Sequence, residues 1–295
     1  MFPASDLLAP LLSGLGYTIA ALMLKRGSEG AGPWRVAFVT NWLLAILWAL
    51  LLFLPETHPA TWENIGHAAI SGLLFFIGQI FTFLALSRGD VSVATPVLGS
   101  KVIFVAFFTV IFGSGVIDGG MWIAVLLTAS ATALLGGGGS RNPHTHPFWR
   151  SLVYGFSAAT TFAMMDITQQ WWIPAWDFFH YMATLFITMG LLSLLLIPLF
   201  RRDGLQVSSA SWRWIVLGST LLAAQAGGVA WSIIHIGATR TNVLYNSRGL
   251  WSVVLVWTVG HWFGNTERGH GRAVMIRRFA GALLLLAAIG LIVRR

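Results

Sequence analysis

The stretch that decides how this chain folds is Val93–Phe112, "VATPVLGSKVIFVAFFTVIF". It is almost wholly apolar and has the length of about 20 residues that a helix needs to cross a hydrocarbon core. A single charge, Lys101, sits near its middle. A central Lys or Arg costs at least ~2.5–3.5 kcal/mol on insertion scales, so such residues face a cavity or a partner. What Lys101 binds is therefore a question about function.

The rest of the chain has the same character. Of 295 residues, 56% are hydrophobic and 9% are charged, against roughly 25% charged in a soluble domain. So few charges cannot cover a protein of this size in water, so lipid is part of its solvent. Fifteen Trp and twenty Phe fit bilayer interfaces and packed membrane helices. The net charge of +8 does not point to nucleic acid, because Lys and Arg fall mostly between apolar runs and form no stripe. With no cysteine, disulfides and thiolate metal sites are excluded. The opening "MFPASDLLAPLLSGLGYTIAALMLK" lacks a basic segment ahead of its apolar run and reads as a retained helix rather than a signal peptide.

Ten apolar runs follow one another, at roughly 6–24, 34–54, 66–86, 91–112, 121–138, 149–171, 177–199, 212–236, 241–263 and 273–293. Turn-forming segments such as "RGSEGAGP", "LPETHP", "SRGD" and "GGGGSRNPHTHP" separate them. The runs are continuous rather than alternating, which argues against a β-barrel. The expected fold is an all-α integral membrane protein of ten transmembrane helices. Laying "SRGDVSVATPVLGSKVIF" over "GATRTNVLYNSRGLWSVV" matches two short turns at an offset of 150, with Gly99 over Gly249. "FGSGVIDGG" and "FGNTERGHG" then close the following helices alike. Residues 1–140 and 141–295 are thus expected to be two five-helix repeats within one transmembrane domain. Five being odd, the second repeat enters the membrane inverted, a plan common in secondary transporters.

Loop charge predicts orientation. Thirteen Lys and Arg lie after helices one, three, five, seven and nine, against three on the other side. This predicts a multi-pass protein of the plasma (inner) membrane with both termini outside the cytoplasm.

The remaining two cations are Lys101 in helix four and Arg248 in helix nine, at similar depth. At the offset of 150, Arg248 falls over Leu98, one turn from Lys101 on the same face. Nine of the ten Asp and Glu lie in loops or at helix ends, leaving Asp166 in "TFAMMDITQQWW" as the plausible buried partner. Its counterpart in the first half is near Lys25, a helix end, which leaves an interfacial place open for Asp166. Three readings follow for Lys101: a substrate site, a structural pair with Asp166, or a side chain snorkelling to the interface. Two deep cations against at most one carboxylate favour the first, with an anionic group held by Arg as a two-pronged donor and Lys as a compact charge.

Gln225 in helix eight, Gln79 in helix three and Asn41 in helix two, with Tyr245, Asn246, Tyr17 and Tyr154, are the polar candidates for a wet cavity. Trp231 and Trp251 are candidates for its walls. Interhelical hydrogen bonds, at roughly 0.6 kcal/mol each in membranes, are the alternative role for any one of the polar groups. Asp166 and His235 are candidates for ion coupling. Pro96 and Gly99 ahead of Lys101, and Gly227 and Gly228 beside Gln225, sit where a moving helix bends. "HTH" at 144–146 is too little for a metal site, and no metal, cofactor or catalytic motif is present. An enzyme acting on lipid phosphates would need intramembrane carboxylates, His or metal ligands that are scarce here, and a channel is the third class.

Ten helices in two inverted fives, with the short turns "LALSRGDVSVATPV" and "IHIGATRTNVLYN", resemble the EamA-type branch of the drug/metabolite transporter superfamily. "LKRGSEGAGPWRVAFVTNWLLAILWALLLFLP" resembles helices one and two of its bacterial amino-acid exporters. The resemblance implies secondary transport of a small molecule through a central cavity lined by both repeats, without a cofactor and with the lipid bilayer as surroundings. Where many relatives carry Glu after the Gly ending helix four, this chain has Ser114, and its counterpart is Asn265. Relatives are also drawn with both termini in the cytoplasm, opposite to the loop charges here. Substrate, direction, coupling ion and oligomeric state are not fixed by the resemblance.

Overall fold

The computed structural model describes residues 3–88, 97–113, 115–136, 148–200, 208–259 and 272–293, and all regular structure among them is helical. In chain order, α1 is Ala4–Ala31, α2 Pro33–Ala49, α3 Trp62–Arg88, α4 Lys101–Ile111 and α5 Gly119–Gly136. They are followed by α6 Phe148–Trp172, α7 Phe178–Leu192, α8 Ser209–Ile236, α9 Ala238–Tyr245, α10 Arg248–Val259 and α11 Arg272–Val293. A short 3-10 turn extends α2 to Phe53, and a 3-10 turn over Ser193–Leu196 followed by an α-helical turn over Ile197–Phe200 carries α7 on. Pro96, Ser114 and Asn265, singled out in the sequence, lie outside the described residues.

Local chemistry sets the boundaries. Gly32 and Gly237 are one-residue corners between α1 and α2 and between α8 and α9, with φ of 76° and 85° and ψ near 150°. Only glycine adopts that conformation without strain. Pro33 then opens α2, where its missing N–H would have no partner in any case. Asp177 caps α7, accepting from the backbone N–H of Phe179 and His180.

Among the described residues six helices are long and apolar enough to cross a membrane, spanning Asp6–Glu29, Pro33–Phe53, Trp62–Ala85, Phe178–Phe200, Ser211–Ile236 and Ile276–Val293. The sequence predicts ten such runs, of which the fourth, fifth and ninth lie partly outside the described residues. The fourth is interrupted at Ser100 and the ninth at Asn246–Ser247, each ahead of a short helix that begins with a cation, Lys101 or Arg248. The sixth, α6, has the length but carries Asp166, Thr168, Gln169 and Gln170. The described part of the fifth is apolar over Gly119–Leu135. Three of these four interrupted or polar helices build the site described below.

Packing joins α1 to α8, α3 to α6, α5 to α11, α2 to α7, α3 to α7, α2 to α8 and α4 to α6, while α9 lies against α1, α4 and α8, and α10 against α1. The largest apolar core lies among α2, α3, α7 and α8, around Leu44, Trp48, Phe76, Tyr181, Phe186 and Met189. Close approach depends on glycine at two places that matter for the site. A Cβ on Gly14 of α1 would lie 2.9 Å from Ser247 Oγ, 3.0 Å from the Tyr245 carbonyl and 3.1 Å from the Arg248 nitrogen. Gly14 thus lets α1 rest on the break between α9 and α10. A Cβ on Gly228 of α8 would run into Ser13 Oγ, the second contact that sets α1 against α8.

Around Gly227 and Gly228, α8 runs unbroken from Ser209 to Ile236. Both glycines serve packing: a Cβ on Gly227 would press on Trp48, 2.8 Å from Cζ2. Gly99 does adjoin a break, at Ser100, and it also makes room for Thr132 of α5.

Candidate functional site

Helices four and nine place their cations by the same local backbone pattern. Ser100 N–H donates to Val97 O and Ser247 N–H to Leu244 O, both at 3.0 Å and both three residues back. In the next turn Phe104 N–H donates to Ser100 O and Trp251 N–H to Ser247 O. These bonds pair Ser100–Lys101 with Ser247–Arg248. Lys101 and Arg248 each follow the serine of such a turn.

Lys101 Nζ lies 2.7 Å from Asp166 Oδ2 on α6. Asp166 is fully buried within the protein, six residues before the end of its helix. The same Oδ2 accepts from Asn242 Nδ2 of α9 at 2.6 Å. Asp166 Oδ1 is buried and has no hydrogen-bond partner. The Lys101 ammonium also stands 5.9 Å from the Phe162 ring centroid, one turn before Asp166.

Arg248 is held differently. Its guanidinium lies 5.0 Å from the ring centroid of Tyr17 on α1 and 4.9 Å from that of Tyr245 on α9. The two rings meet edge to face, 6.0 Å apart. Tyr245 Oη donates to Gln225 Oε1 of α8, and the Thr18 hydroxyl donates to the Arg248 carbonyl. Among the described residues no carboxylate comes within ion-pair distance of Arg248, and the Lys101, Arg248 and Asp166 set carries one formal positive charge in excess.

A polar seam runs between α6 and α9. Gln170 Oε1 caps α9 by accepting from Ala238 N–H at 2.7 Å. One turn further in, Asp166 and Asn242 meet, and Asn246 Nδ2 donates to the Asn242 carbonyl. Above the seam is a cleft of about 200 Å³, lined by Thr109, Gln170, His235, Ala238, Thr239 and Arg240 among others. It lies where α4, α6 and α8 end and α5 and α9 begin.

The other sequence candidates fall in several places. Asn41 and Gln79 hydrogen-bond each other twice, at 2.9 and 3.1 Å, and tie α2 to α3. Trp251 turns its indole Nε1 inward, where it is buried and lacks an acceptor. Trp231 is 44% exposed and stacks on His235, so it stands on the outer surface and does not wall a cavity. His235 is exposed, with Nδ1 on the Trp231 carbonyl, and reaches only the rim of the cleft. Tyr154 stacks on Phe81, away from the tyrosine pair at Arg248. Asn242, Gln170, Phe162 and Gly14 escape a reading by residue type. The visible trace was "NVLYN", two Asn one turn apart in an otherwise apolar run.

Residues 4–137 match the EamA-like transporter family, part of the drug/metabolite transporter superfamily. The match covers the first half of the chain, and with the long apolar helices it supports a multi-pass membrane transporter of a small molecule. A solved structure described only as "Crystal structure of protein" covers 98% of this chain and 98% of its own at a TM-score of 0.74 and 15% identity, a likeness of fold alone. No curated protein matches this chain.

Proposed function

We propose that this chain is an EamA-type secondary transporter for a small metabolite bearing one carboxylate, an amino acid or another organic acid, moved by alternating access. The observation that carries this reading is Arg248, set between two tyrosine rings without a carboxylate partner. A guanidinium there offers two parallel N–H donors to a carboxylate in a site of low dielectric, the arrangement in which such bonds are strongest. Lys101, one oxygen away from Asp166, is the second cation within reach of the same substrate. Gln225, Tyr17 and Tyr245 orient the group, and Trp251 lies on the same inner side.

The packing supports a twofold plan of five helices and five, with residues 1–140 and 141–295 as the repeats. Exchanging each helix for the one five positions along the chain, with α9 and α10 counted together, turns α1–α8 into α3–α6, α3–α7 into α2–α8 and α4–α6 into α1–α9, while α2–α7 and α5–α11 map onto themselves. Alternating access is then rocking of one repeat against the other about the cations, and the breaks at Ser100 and Asn246–Ser247 are where the backbone yields. Loop charge puts both termini, and with them the cleft, on the outer side of the plasma (inner) membrane.

Export of neutral or cationic compounds is disfavoured because Lys101 already occupies the one deep carboxylate among the described residues. The test is thermal stability of the purified protein with four probe sets: L-amino acids, gluconate, phosphorylated sugars, and lipophilic cations. Stabilisation by gluconate or amino acids that is lost in Arg248→Ala is the expected result. Stabilisation by lipophilic cations alone refutes the reading.

A further inference from the structure

Asp166 Oδ1 is the least explained atom in the bundle. It belongs to a fully buried carboxylate, it is shielded from solvent, and no donor reaches it among the described residues. Its sister oxygen Oδ2 receives both the Lys101 ammonium and the Asn242 amide. A buried acceptor left open costs about 1–3 kcal/mol, more for a charged group. Nothing larger than a proton reaches Oδ1 without moving its surroundings.

We infer that Asp166 is a proton-binding site, and that its protonation frees Lys101 for the substrate carboxylate, so that this protein carries a proton with each anion. The inference rests on the carboxylate reading above. In the empty site Lys101 pairs with the ionised Asp166. When the anion enters, an O–H bond forms at Oδ1 with a proton delivered as hydronium through the cleft, whose O–H bond breaks to leave water. The Lys101 ammonium exchanges its bond to Oδ2 for one to the substrate, and the neutral Asp166 keeps the Asn242 amide on Oδ2. No electron moves, and the site gains one anion and one proton.

The surroundings suit this exchange. Gln170 lines the cleft and stands four residues after Asp166, about 6 Å along the helix. Ala238 stands equally far from Asn242 on α9 and also lines the cleft. The cleft lining is therefore one helical turn along α6 and α9 from Asp166 and Asn242. The titratable groups that face Asp166 are Lys101 from α4, Tyr245 from α9 and Arg248 from α10. Arg240 of α9 lines the cleft, and Glu63, His67 and Arg88 of α3 with Arg213 and His235 of α8 sit towards helix ends. An anion arriving between the two cations competes with Asp166 for Lys101, which ties proton uptake to substrate entry.

The experiment is binding and uptake of two impermeant probes, gluconate and a mixture of L-amino acids, by purified protein and by the protein in liposomes. The range is mildly acidic to mildly alkaline, in which gluconate does not titrate. Wild type is expected to bind gluconate more tightly as pH falls, by up to about tenfold per pH unit, the limit for one proton taken up per anion. An outside-acid gradient is expected to drive uptake of the bound probe above its equilibrium level. Asp166→Asn, a fixed mimic of the protonated acid, is expected to flatten the pH dependence to within about twofold and to abolish the response to the gradient. Wild-type binding that is flat with pH, or uptake indifferent to the gradient, overturns the proton site even if Arg248→Ala abolishes binding. A slope that survives in Asp166→Asn overturns it too. Absence of binding and of counterflow for both probes at every pH overturns the carboxylate reading itself. The wild-type measurements decide the matter should Asp166→Asn fail to fold.

Discussion

Lys101 and Arg248 each open a short helix, yet among the described residues Lys101 alone of the two meets a carboxylate, with Nζ 2.7 Å from Asp166 Oδ2. Arg248 rests instead between the faces of Tyr17 and Tyr245. One cation has a fixed partner and the other is placed for a visiting one.

The Lys101–Asp166 pair makes an asymmetric prediction for stability. Lys101→Ala leaves a carboxylate buried without its counter-charge and is expected to cost about 3–5 kcal/mol. The double variant Lys101→Met with Asp166→Leu removes both charges at similar volume and is expected to recover most of that loss. Thermal unfolding in detergent ranks the two. Equal destabilisation of both would mean that the pair contributes packing rather than charge balance.

Gly14 is predicted to be intolerant of a side chain. A methyl group there meets Ser247 Oγ, the Tyr245 carbonyl and the Arg248 nitrogen at 2.9–3.1 Å, so α1 must move off the break that holds the arginine. Gly14→Ala is expected to cost about 1–3 kcal/mol, the usual range for overpacking. Lowered thermal stability together with weakened probe binding is the expected result. Gly66, whose Cβ would meet no atom within 4 Å, is the control position.

Outside the membrane span, the cap of α7 is predicted to be sensitive to acid. Burial pushes the Asp177 carboxyl up, but hydrogen bonds from the His180 ring and backbone and from the Thr57 hydroxyl outweigh it and hold the carboxyl below its ordinary range. Because the folded value is the lower one, the stabilisation is fully present above the ordinary carboxylate range and is lost as pH falls through the depressed value. Asp177→Ala is expected to cost about 1 kcal/mol near neutral pH, with the gap to wild type closing in acid. Unfolding midpoints of both proteins against pH check this, and a gap that widens in acid would reverse the sign.

The tyrosine pair is predicted to act through its rings. Tyr17→Phe keeps a π face under Arg248, whereas Tyr17→Leu removes it and is expected to weaken gluconate or amino-acid binding by about 2–30-fold, equivalent to ~0.5–2 kcal/mol. Equilibrium binding of the two variants separates ring from hydroxyl.

Much of this was legible in the residues. Low charge and continuous apolar runs gave the membrane and the helical class, and the rarity of deep charges led to Lys101, Arg248 and Asp166 by cost alone. Partnership was not legible, because the spacing of Lys101 and Asp166 along the chain says nothing about which faces of α4 and α6 meet. His180 passed unnoticed because its partners are supplied by the loop before α7 and by Glu56, far away in sequence. Trp231 and His235 misled for the opposite reason. They are polar-tipped rings in an apolar run, and they pack on each other at the surface.

Counterflow of labelled gluconate and L-amino acids in liposomes, comparing wild type with Arg248→Ala and Arg248→Lys, tests the central claim most directly. Saturable counterflow in wild type, abolished in Arg248→Ala and weakened at least about tenfold in Arg248→Lys, is the predicted result. Wild-type rates in a folded Arg248→Ala protein would contradict the account.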